Sequence, residues 1–494
     1  MKKSKSRVAF YTLGCKLNQF ESEVLADSFL SAGADIVPVS ENADIYIINT
    51  CTVTSKSEQK ARRVIRKISR DYPGSVVVVT GCYAQLDPEK IEEIADNLLV
   101  IPQDKKHLLL KSTEMLLDSC IDPEDAVPLL KEFIRENSGE KPARQSQPQS
   151  PLNPQTRPPS QSQPLPQSQL LPESQPQTAK PDDSSFYTVT KGFQFHSRAF
   201  LKIQDGCDNF CRYCRVPLAR GRSRSLDPDI VISNIIDIEK SGYNELVLTG
   251  VNISSYKSGG LDLVSLIEKI IAGTEKMRIR LSSLEPDSID GRYLDIIKLE
   301  RICGHFHLPV QSGSDAVLSV MGRKYKRDKV TDAVSILRQK GNNPMISADV
   351  ITGFPGETDR DFEDTCSLVT ENEFAYLHVF PFSPRPGTAA YRMKNHVPER
   401  VSTERAEHLR NLSGKLFAIY ASKCIGMSSP AIIEGREGSL KDVWNGISDN
   451  YLKLKIKGFP EDKDPVKGSI VNCMIEKHRE NEGNSFDALF ASFG

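Results

Sequence analysis

The feature that most constrains this chain is a group of three cysteines, Cys207, Cys211 and Cys214, within a span of eight residues. Thiolates prefer soft metals such as zinc, copper(I) and the irons of an iron–sulfur cluster. A structural zinc site needs four ligands, and the next eighty residues contain no further cysteine or histidine. The group therefore predicts a cluster with three protein ligands and one open iron. A buried or disulfide-bonded triplet is the alternative, less favoured because crowded cysteines usually bind metal.

The spacing Cys-x3-Cys-x2-Cys resembles the signature of radical S-adenosylmethionine (SAM) enzymes. The resemblance implies a 4Fe–4S cluster whose open iron is chelated by SAM, and reductive cleavage of SAM to a 5′-deoxyadenosyl radical. The chain has eleven cysteines, an odd number, and six of them fall into two groups of three. This usage favours metal ligation in a reducing compartment over a disulfide framework.

Length and charge limit the remaining possibilities. A chain of 494 residues is expected to form about three domains. Its net charge of −1 means that any nucleic-acid binding depends on local patches. The apolar part of the N-terminus is about six residues, too short for a signal peptide, and no run of about 18 apolar residues occurs. We expect a cytoplasmic protein with no membrane contact.

Apolar runs alternate with helical patterns over residues 1–134. The runs are Arg7–Leu13, Ile45–Asn49 and Val76–Thr80, and the helical patterns are Phe20–Ala32, Ser55–Ser69 and Pro88–Leu98. Such alternation predicts an α/β unit, in which a three-stranded parallel sheet is covered by helices on both faces.

One cysteine follows each of these predicted strands: Cys15, Cys51 and Cys82. The carboxyl ends of parallel strands lie along one edge of a sheet, where ligands bind, so these thiols are expected to meet. Taken alone, buried packing cysteines would be the more common explanation. Their shared position favours a second metal-binding triplet, and we expect both triplets to face a common cavity.

The two triplets, together with Thr12-Leu-Gly-Cys-Lys-Leu-Asn-Gln-Phe-Glu-Ser-Glu23, resemble the methylthiotransferase family. The resemblance implies an auxiliary 4Fe–4S cluster on Cys15, Cys51 and Cys82, a radical-SAM domain and a C-terminal TRAM domain. The segment looks like the branch that acts on threonylcarbamoyladenosine in tRNA. The isopentenyladenosine branch usually has Gly-Cys-Gln-Met-Asn at this place, and the ribosomal-protein branch has Gly-Cys-Pro-Lys-Asn.

Residues 135–195 differ from the rest of the chain in composition. From Asn137 to Ser185 they consist mainly of Gln, Pro and Ser, with almost no β-branched or aromatic residues. Such a segment cannot bury enough apolar surface to offset its ordering entropy, so we predict a disordered linker. A proline-motif docking role is the weaker alternative. The family normally joins its first two domains more closely.

Six apolar runs recur between residues 196 and 422, each followed by a polar loop and a helical stretch. They are Phe200–Gln204, Glu245–Thr249, Met277–Ser282, His305–Val310, Met345–Thr352 and Tyr376–Pro381. Six such repeats predict a partial (β/α)6 barrel whose chemistry lies at the carboxyl ends of its strands. The residues predicted to bind SAM in these loops are Gly250, Ser283, Gln311, Gly353 and Glu357. The blocks Leu281–Pro286, His307–Asp315, Ala348–Glu357 and Pro381–Thr388 also resemble the family.

Three arginines follow the central cysteines at alternate positions, Arg220, Arg222 and Arg224. In extended backbone they would share a face and form a cationic strip that holds RNA phosphates near the cluster. An ordinary solvated face is an equally good explanation. Arg215 follows Cys214 where the family usually has an aliphatic residue, and we interpret this as local variation.

Other residues carry weaker signals. His305, His307 and His378 alternate with apolar residues, and satisfied barrel histidines are favoured over metal ligands. Residues 425–494 contain short predicted strands at Ala431–Gly438, Trp444–Ser448, Tyr451–Ile456 and Gly468–Lys477. They predict a small β-barrel, and its position and size resemble the TRAM domain, which implies RNA recognition.

The leading hypothesis is a radical-SAM methylthiotransferase that adds a methylthio group to C2 of N6-threonylcarbamoyladenosine beside the tRNA anticodon. That C–H bond is unactivated for polar chemistry, so a cofactor radical is needed. The implied cofactors are two 4Fe–4S clusters and SAM. The implied partners are tRNA, a flavodoxin-like or ferredoxin-like electron donor and a sulfur source. The alternatives are a ribosomal-protein methylthiotransferase and a non-catalytic iron–sulfur RNA-binding protein.

Overall fold

The computed structural model describes residues 5–118, 123–137, 186, 190, 192–438, 440, 442–460, 463–479 and 485–493. Most of the linker predicted at 135–195 lies outside these residues. Within the described part of the chain, no helix is both long enough and apolar enough to cross a bilayer.

The N-terminal unit is a five-stranded parallel sheet. Its strands are β1 (Arg7–Thr12), β2 (Asp35–Val37), β3 (Ile45–Thr50), β4 (Val76–Gly81) and β5 (Leu98–Pro102). Its helices are α1 (Lys16–Ser31), α2 (Ser55–Asp71), α3 (Cys82–Leu86), α4 (Pro88–Glu92), α5 (Lys106–Lys111), α6 (Thr113–Asp118) and α7 (Pro123–Asn137). The strand order is β2-β1-β3-β4-β5 with every pair parallel, which confirms the predicted parallel sheet.

The two central strands, β3 and β4, are buried along their whole length. Successive side chains point to opposite faces of a strand, so both faces of this sheet must be covered. On one face Ile47 and Val78 pack with Phe29 of α1. On the other face Ile48 packs with Ile65 of α2. Continuous apolar runs in the sequence therefore became central strands between two helical layers.

The N-terminal prediction is wrong in two details. It contained three strands, whereas the structure adds the short β2 and the edge strand β5. The predicted helix Pro88–Leu98 ends already at Glu92, and Leu98 begins β5. The apolar run Leu98–Ile101 pairs with β4 instead, because there it buries its side chains on both faces of the sheet.

The second unit is the predicted partial barrel. Its six parallel strands are β6 (Ala199–Asp205), β8 (Glu245–Gly250), β11 (Arg278–Leu281), β12 (His305–Gln311), β13 (Met345–Thr352) and β14 (Tyr376–Pro381), and the short strands β7 (Arg224–Ser225), β9 (Lys257–Ser258) and β10 (Leu261–Asp262) lie beside them. Its helices are α8 (Val216–Arg220), α9 (Pro228–Lys240), α10 (Leu263–Gly273), α11 (Tyr293–Ile297), α12 (Asp315–Met321), α13 (Arg327–Arg338), α14 (Asp359–Glu371) and α15 (Glu399–Cys424).

The barrel strands fall into two sheets, β11-β8-β6-β7 and β12-β13-β14. Among the described residues, the two sheets are joined between β11 and β12 by one parallel bridge, Ile279 to Ile302. The barrel is therefore open, as predicted, and its carboxyl-end loops are free to face neighbouring units.

The C-terminal unit is a closed five-stranded barrel. Its strands are β15 (Ser428–Arg436), β16 (Trp444–Ser448), β17 (Lys453–Lys457), β18 (Ile470–His478) and β19 (Ser485–Phe493), in the order β15-β16-β17-β19-β18. The small β-barrel is thus confirmed, although the sequence prediction lacked β19. Closure removes the exposed sheet edges that a short meander would leave.

Helix α1 belongs to the first unit but packs on the second. Phe20 and Val24 of α1 lie in one hydrophobic cluster with Phe200 and Leu201 of β6. The buried carboxylate of Glu23 accepts hydrogen bonds from the backbone N–H groups of residues 194 and 195, at 2.7 and 3.0 Å, and lies 2.6 Å from a ring nitrogen of residue 196. The two units are therefore held by direct packing as well as by the chain that joins them.

Two predicted unit boundaries fall inside helices. The boundary at 134 lies within α7, which continues to Asn137, and the boundary at 422 lies within α15, which ends at Cys424. The last turn of α7 is exposed, so the apolar pattern faded before that helix ended, whereas α15 ends in the buried Cys424.

Candidate metal centres and active-site cavity

The loops that carry Cys15, Cys51 and Cys82 meet at the carboxyl edge of the N-terminal sheet. A Cβ placed on Gly14 would lie 2.8 Å from the Cβ of Cys51. A Cβ placed on Gly81, which has φ +99°, would lie 2.4 Å from the carbonyl oxygen of residue 50. Only glycine allows these close approaches, so the residues before Cys15 and Cys82 let the three loops converge.

The thiols of this first triplet influence one another. Burial, together with smaller contributions from the neighbouring thiols of Cys15 and Cys82, raises the pKa of Cys51 to about 12. Burial also raises the pKa of Cys82. Cys51 and Cys82 are therefore protonated at neutral pH in the metal-free protein, and their thiolates would form as metal binds.

The second triplet lies on the loop after β6. Gly206 has φ +73°, and a Cβ there would lie 1.9 Å from the carbonyl oxygen of Arg222, so this turn requires glycine. Two backbone N–H groups, of residues 209 and 216, donate to Sγ of Cys207 and of Cys214, each at 3.4 Å. Burial raises the pKa of Cys214 to about 12, with further contributions from Cys211 and Cys207.

Each triplet has one arginine hydrogen-bonded to one of its sulfurs. Arg220 donates from Nε to Sγ of Cys82 at 3.3 Å, and Arg323 donates from a terminal nitrogen to Sγ of Cys211 at 3.2 Å. A guanidinium stays charged in a protein, so it stabilises a thiolate or an anionic cluster beside it. Sequence reasoning did not find Arg323, which lies 109 residues beyond Cys214.

The donor sets fit iron–sulfur clusters better than single ions. Among the described residues, no three Cys, His, Asp or Glu side chains are grouped so that they could hold one metal ion. A 4Fe–4S cluster takes one thiolate per iron and so spaces its ligands more widely than one ion does. The backbone N–H donors and arginines at the sulfurs are the outer contacts that such clusters need.

The predicted strip of three arginines is not formed. Arg220 ends helix α8 and is buried, where its guanidinium bonds Glu21 at 2.9 Å and Asp205 at 3.1 Å. Arg222 is exposed, and Arg224 lies in the short strand β7. The extended backbone assumed for residues 220–224 is wrong, because a helix ends and a turn at residue 221 intervenes.

Glu21 is the centre of a buried charge network that crosses the interface. Its carboxylate accepts from Lys106 at 2.6 Å and lies 3.7 Å from Lys202 of the barrel. Burial alone would raise the pKa of Glu21, but the charges of Arg220, Lys106 and Lys202 outweigh it and hold the pKa well below its usual range. The carboxylate therefore stays ionised inside the protein.

Arg215 also joins the two units. Its guanidinium lies 2.9 Å from Glu58 and 3.3 Å from Asp87, both in the N-terminal unit. Arg385, from the loop after β14, binds the same Glu58 carboxylate. The departure from an aliphatic residue at position 215 thus adds an interdomain ion pair directly after the last cysteine of the second triplet.

A cavity of about 1320 Å³ lies where the three units meet. Cys15, Gly250 and Ser283 line it, but Gln311, Gly353 and Glu357 do not. The buried carboxylate of Glu357 accepts the N–H of residue 353 at 2.7 Å and pairs with residue 405 at 2.6 Å. Because protein groups already occupy this buried carboxylate, the structure does not support the predicted contact between Glu357 and SAM.

Thiols of the two triplets line different pockets. Cys15 lines the large cavity, whereas Cys211 lines a separate small pocket with Asn209, Glu285 and Arg323. Glu285 pairs with Arg323, which in turn bonds the sulfur of Cys211. That both triplets face one common cavity stays a prediction.

The three histidines line the cavity. His307 pairs with Asp349 at 3.0 Å, and His378 lies edge-on to His307. His305 stacks on the ring of Tyr451 with centroids 4.4 Å apart. No metal-ligand grouping of these side chains occurs among the described residues.

Comparisons with known proteins agree with this architecture. The model described as Uncharacterized protein family UPF0004 matches residues 7–101, and the Radical SAM superfamily matches residues 201–369. A threonylcarbamoyladenosine tRNA methylthiotransferase of Treponema pallidum is 40% identical over 471 residues, which cover 91% of this chain and 94% of that protein. This chain belongs to the methylthiotransferase family.

A second methylthiotransferase with the same name, from Bacillus subtilis, is 34% identical over 96% of this chain and 95% of its own length. The match spans all three units, so the methylthiotransferase resemblance drawn from the two triplets is confirmed. A solved radical SAM methyltransferase of Kitasatospora setae, with cobalamin and a 4Fe–4S cluster bound, has a TM-score of 0.48 at 12% identity over 99% of this chain and 84% of that one. That likeness is too distant to carry an argument.

Proposed function

We propose that this protein transfers a methylthio group to C2 of N6-threonylcarbamoyladenosine at position 37 of tRNA, next to the anticodon. The observation that supports it most is the 40% identity, over nearly the whole length, to a relative named for that activity. The converging loops of both cysteine triplets support it further, because a methylthiotransferase needs two separate clusters.

The six thiols are assigned by unit. Cys15, Cys51 and Cys82 would hold the auxiliary cluster, and the triplet at 207–214 would hold the cluster that binds SAM. When bound, these groups supply the radical that removes hydrogen from C2 and the sulfur and methyl that replace it. The chain supplies thiolates, N–H donors and two arginines that stabilise the sulfurs. Gly250, Ser283, Gln311 and Gly353 remain the proposed SAM contacts.

The partners follow from the reaction. The protein would bind tRNA in the cytoplasm, take electrons from a flavodoxin-like or ferredoxin-like donor, and use a separate sulfur source. The exposed Arg222 is proposed to contact an RNA phosphate, whereas the buried Arg220 is assigned to the interdomain network. Arg224 stays a predicted RNA contact.

Four segments make up the proposed organisation. Residues 1–134 form the auxiliary-cluster domain, 135–195 the linker, 196–422 the radical-SAM domain and 425–494 the TRAM-like domain. Because α7 ends at Asn137 and α15 at Cys424, we propose these residues as the ends of the auxiliary-cluster and radical-SAM domains.

Mass spectrometry of tRNA nucleosides tests the function. We expect that deletion of the gene removes 2-methylthio-N6-threonylcarbamoyladenosine and that N6-threonylcarbamoyladenosine accumulates in a strain without a paralogue. Purified protein with SAM and a reductant should restore the modification in vitro. A persistent methylthio nucleoside would overturn the proposal. Modification of a ribosomal protein would favour the first alternative, and absence of SAM cleavage would favour a non-catalytic protein.

A further inference from the structure

The floor of the large cavity is an aromatic ring surrounded by cations. Three charged groups lie over the ring of Tyr451: Nζ of Lys16 at 5.6 Å, the guanidinium of Arg198 at 5.5 Å and that of Arg280 at 5.1 Å from its centroid. These side chains come from the N-terminal unit and the barrel, and Tyr451 comes from the C-terminal barrel. The cluster therefore forms only where all three units meet.

The arginines around this ring each have a carboxylate partner. Arg280 pairs with Glu245 at 2.7 Å, and Arg198 lies 3.4 Å from Glu434. Nearby Arg278 lies 3.1 Å from an Asp449 oxygen. In each of these three pairs the carboxylate neutralises the charge of the guanidinium.

Lys16 is the surplus cation of the cluster. It forms no ion pair with any residue that the structure describes, and its contact within the cluster is the cation–π contact with Tyr451. It is half-buried and lines the cavity directly beside Cys15. A cation taken partly out of water is costly unless an anion faces it, so the arrangement is suited to a ligand that brings one.

A second observation points to a polar ligand at the same place. His305 is 6% exposed, and its Nδ1 is buried with no hydrogen-bond partner among the described residues. His305 lines the cavity and stacks on the same Tyr451 ring that Lys16 covers. Buried polar atoms are nearly always hydrogen-bonded, so this nitrogen indicates a partner that the protein does not supply.

The other basic side chains of the cavity are less suited to this role. Arg410 is exposed and donates to the carbonyl oxygen of Val379 at 3.1 Å. His307 already faces Asp349. Lys453 is exposed at the start of β17. Lys16 alone among these four combines partial burial, the lack of an ion-pair partner among the described residues and a position next to a thiol of the first triplet.

The chemistry of the proposed substrate fits this position. In adenine, C2 and the carbon that bears N6 are both bonded to N1, so a substituent on N6 lies along the same edge of the ring as C2. The threonylcarbamoyl substituent ends in a carboxylate. An adenine whose C2 faces the first triplet would therefore bring that carboxylate to the neighbourhood of Cys15, where Lys16 lies.

We propose that Lys16 binds the carboxylate of the threonylcarbamoyl group and thereby selects the acidic nucleoside. This inference rests on the proposed function, because it assumes that N6-threonylcarbamoyladenosine enters this cavity. Lys16 acts as a specificity residue that contacts the substituent on N6. Its ammonium has no part in the reaction at C2.

The test compares an acid with its neutral ester. Two anticodon stem-loop RNAs are prepared that differ only in carrying N6-threonylcarbamoyladenosine or its methyl ester, and their affinities for full-length protein are measured by anaerobic titration. We expect wild type to bind the acid at least about tenfold more tightly, as a charged hydrogen bond is lost in the ester. Lys16→Gln should bind both RNAs equally, and Lys16→Arg should keep the preference.

Lys453→Gln is the matched control, since Lys453 lines the same cavity but is exposed. This substitution should weaken the binding of both RNAs by the same factor and leave the preference for the acid intact. Wild type that binds acid and ester equally would overturn the inference, whether or not any variant folds. So would Lys16→Gln that retains the full preference.

The same samples separate this inference from the proposed function. In one outcome, wild type methylthiolates the acid-bearing tRNA, but Lys16→Gln does not reduce the preference for the acid. That result would support the proposed function and exclude the role of Lys16. In the other outcome, wild type prefers the acid and Lys16→Gln loses the preference, but neither RNA is modified. That result would support the carboxylate site and exclude the proposed function.

Discussion

Arg220 donates from Nε to the sulfur of Cys82 at 3.3 Å, although 138 residues separate them in the chain. The same guanidinium binds Glu21 at 2.9 Å from another nitrogen. One side chain of the radical-SAM unit thus contacts both a candidate ligand of the auxiliary cluster and the central carboxylate of the interface. It therefore helps to fix the position of one metal centre relative to the other.

Arg220→Gln should destabilise the protein strongly. It leaves the buried carboxylates of Glu21 and Asp205 without their shared guanidinium, and removal of one partner of a buried ion pair costs about 3–5 kcal/mol. The free energy of unfolding of the metal-free protein, from urea titration, measures the loss. Arg222→Gln is the control, since Arg222 is exposed and its loss should change stability by less than about 0.5 kcal/mol. Equal effects of the two substitutions would contradict the network.

Replacement of either cysteine triplet by alanine should remove one cluster and leave the other. The reconstituted protein is expected to hold about eight irons, and each triple variant about four. Iron and sulfide analysis measures this. SAM cleavage should persist when Cys15, Cys51 and Cys82 are replaced, and it should stop when the triplet at 207–214 is replaced. A variant that loses all of its iron would show that the clusters are not independent.

Gly206→Ala should disrupt the loop of the second triplet. The new Cβ would lie 1.9 Å from the carbonyl oxygen of Arg222, which is backbone and cannot move aside. We expect the iron content to fall by about half and SAM cleavage to stop. Gly221→Ala is the matched control, because Gly221 has nearly the same φ, +72°, but nothing within 4 Å of its Cβ position. It should cost only the backbone strain of this glycine-type conformation, about 1–3 kcal/mol, and retain its iron.

Acid should weaken the contact between the barrel and the C-terminal unit through Glu245. Burial alone would raise the pKa of this carboxyl, but Arg280 and Arg278 outweigh it and lower the pKa to about 2. Because the folded pKa lies below the unfolded value of 4.5, its contribution is present above pH 4.5 and is lost as the pH falls toward 2. That contribution is on the order of 3 kcal/mol.

Urea titrations of metal-free wild type and Glu245→Gln between pH 6 and pH 2.5 test this. The difference in unfolding free energy between the two proteins should shrink as the pH falls, because protonated Glu245 resembles the amide. Arg280 also donates to the backbone carbonyl oxygens of residues 448 and 449, so the pair supports the docked C-terminal barrel. A difference that stays constant with pH would show that Glu245 is not charged in the folded protein.

Most of the fold and both thiol triplets could be predicted because their signals are local. The runs at Ile45–Asn49 and Val76–Thr80 are apolar throughout, and the cysteines directly follow them. The edge strand β5 was missed because the predicted helix was extended to Leu98, past the turn residues Asp96 and Asn97 that separate the helical pattern from the short apolar run. Strand periodicity gave the six barrel strands to within about two residues at each end.

The charge contacts could not be predicted from local patterns. Arg220 was interpreted as part of a surface strip, since its main partner Glu21 lies 199 residues away and only the docked units bring them together. The role of Lys16 was hidden in the same way, because the carboxylates that neutralise its arginine neighbours come from Glu245 and Glu434. Whether a charge is surplus can be judged only when its whole surroundings are known.

The hydrogen bonds between Glu23 and residues 194–196 imply that the first two units can stay together without an unbroken chain between them. The N-terminal unit binds residues 194–196 directly, and helix α1 shares a core with β6. The covalent connection through 138–185 is then not what keeps the two metal centres together. Two separately expressed pieces, one ending near residue 140 and one starting near residue 185, should reassemble into a working enzyme, and a fluorescent protein spliced between them should be tolerated.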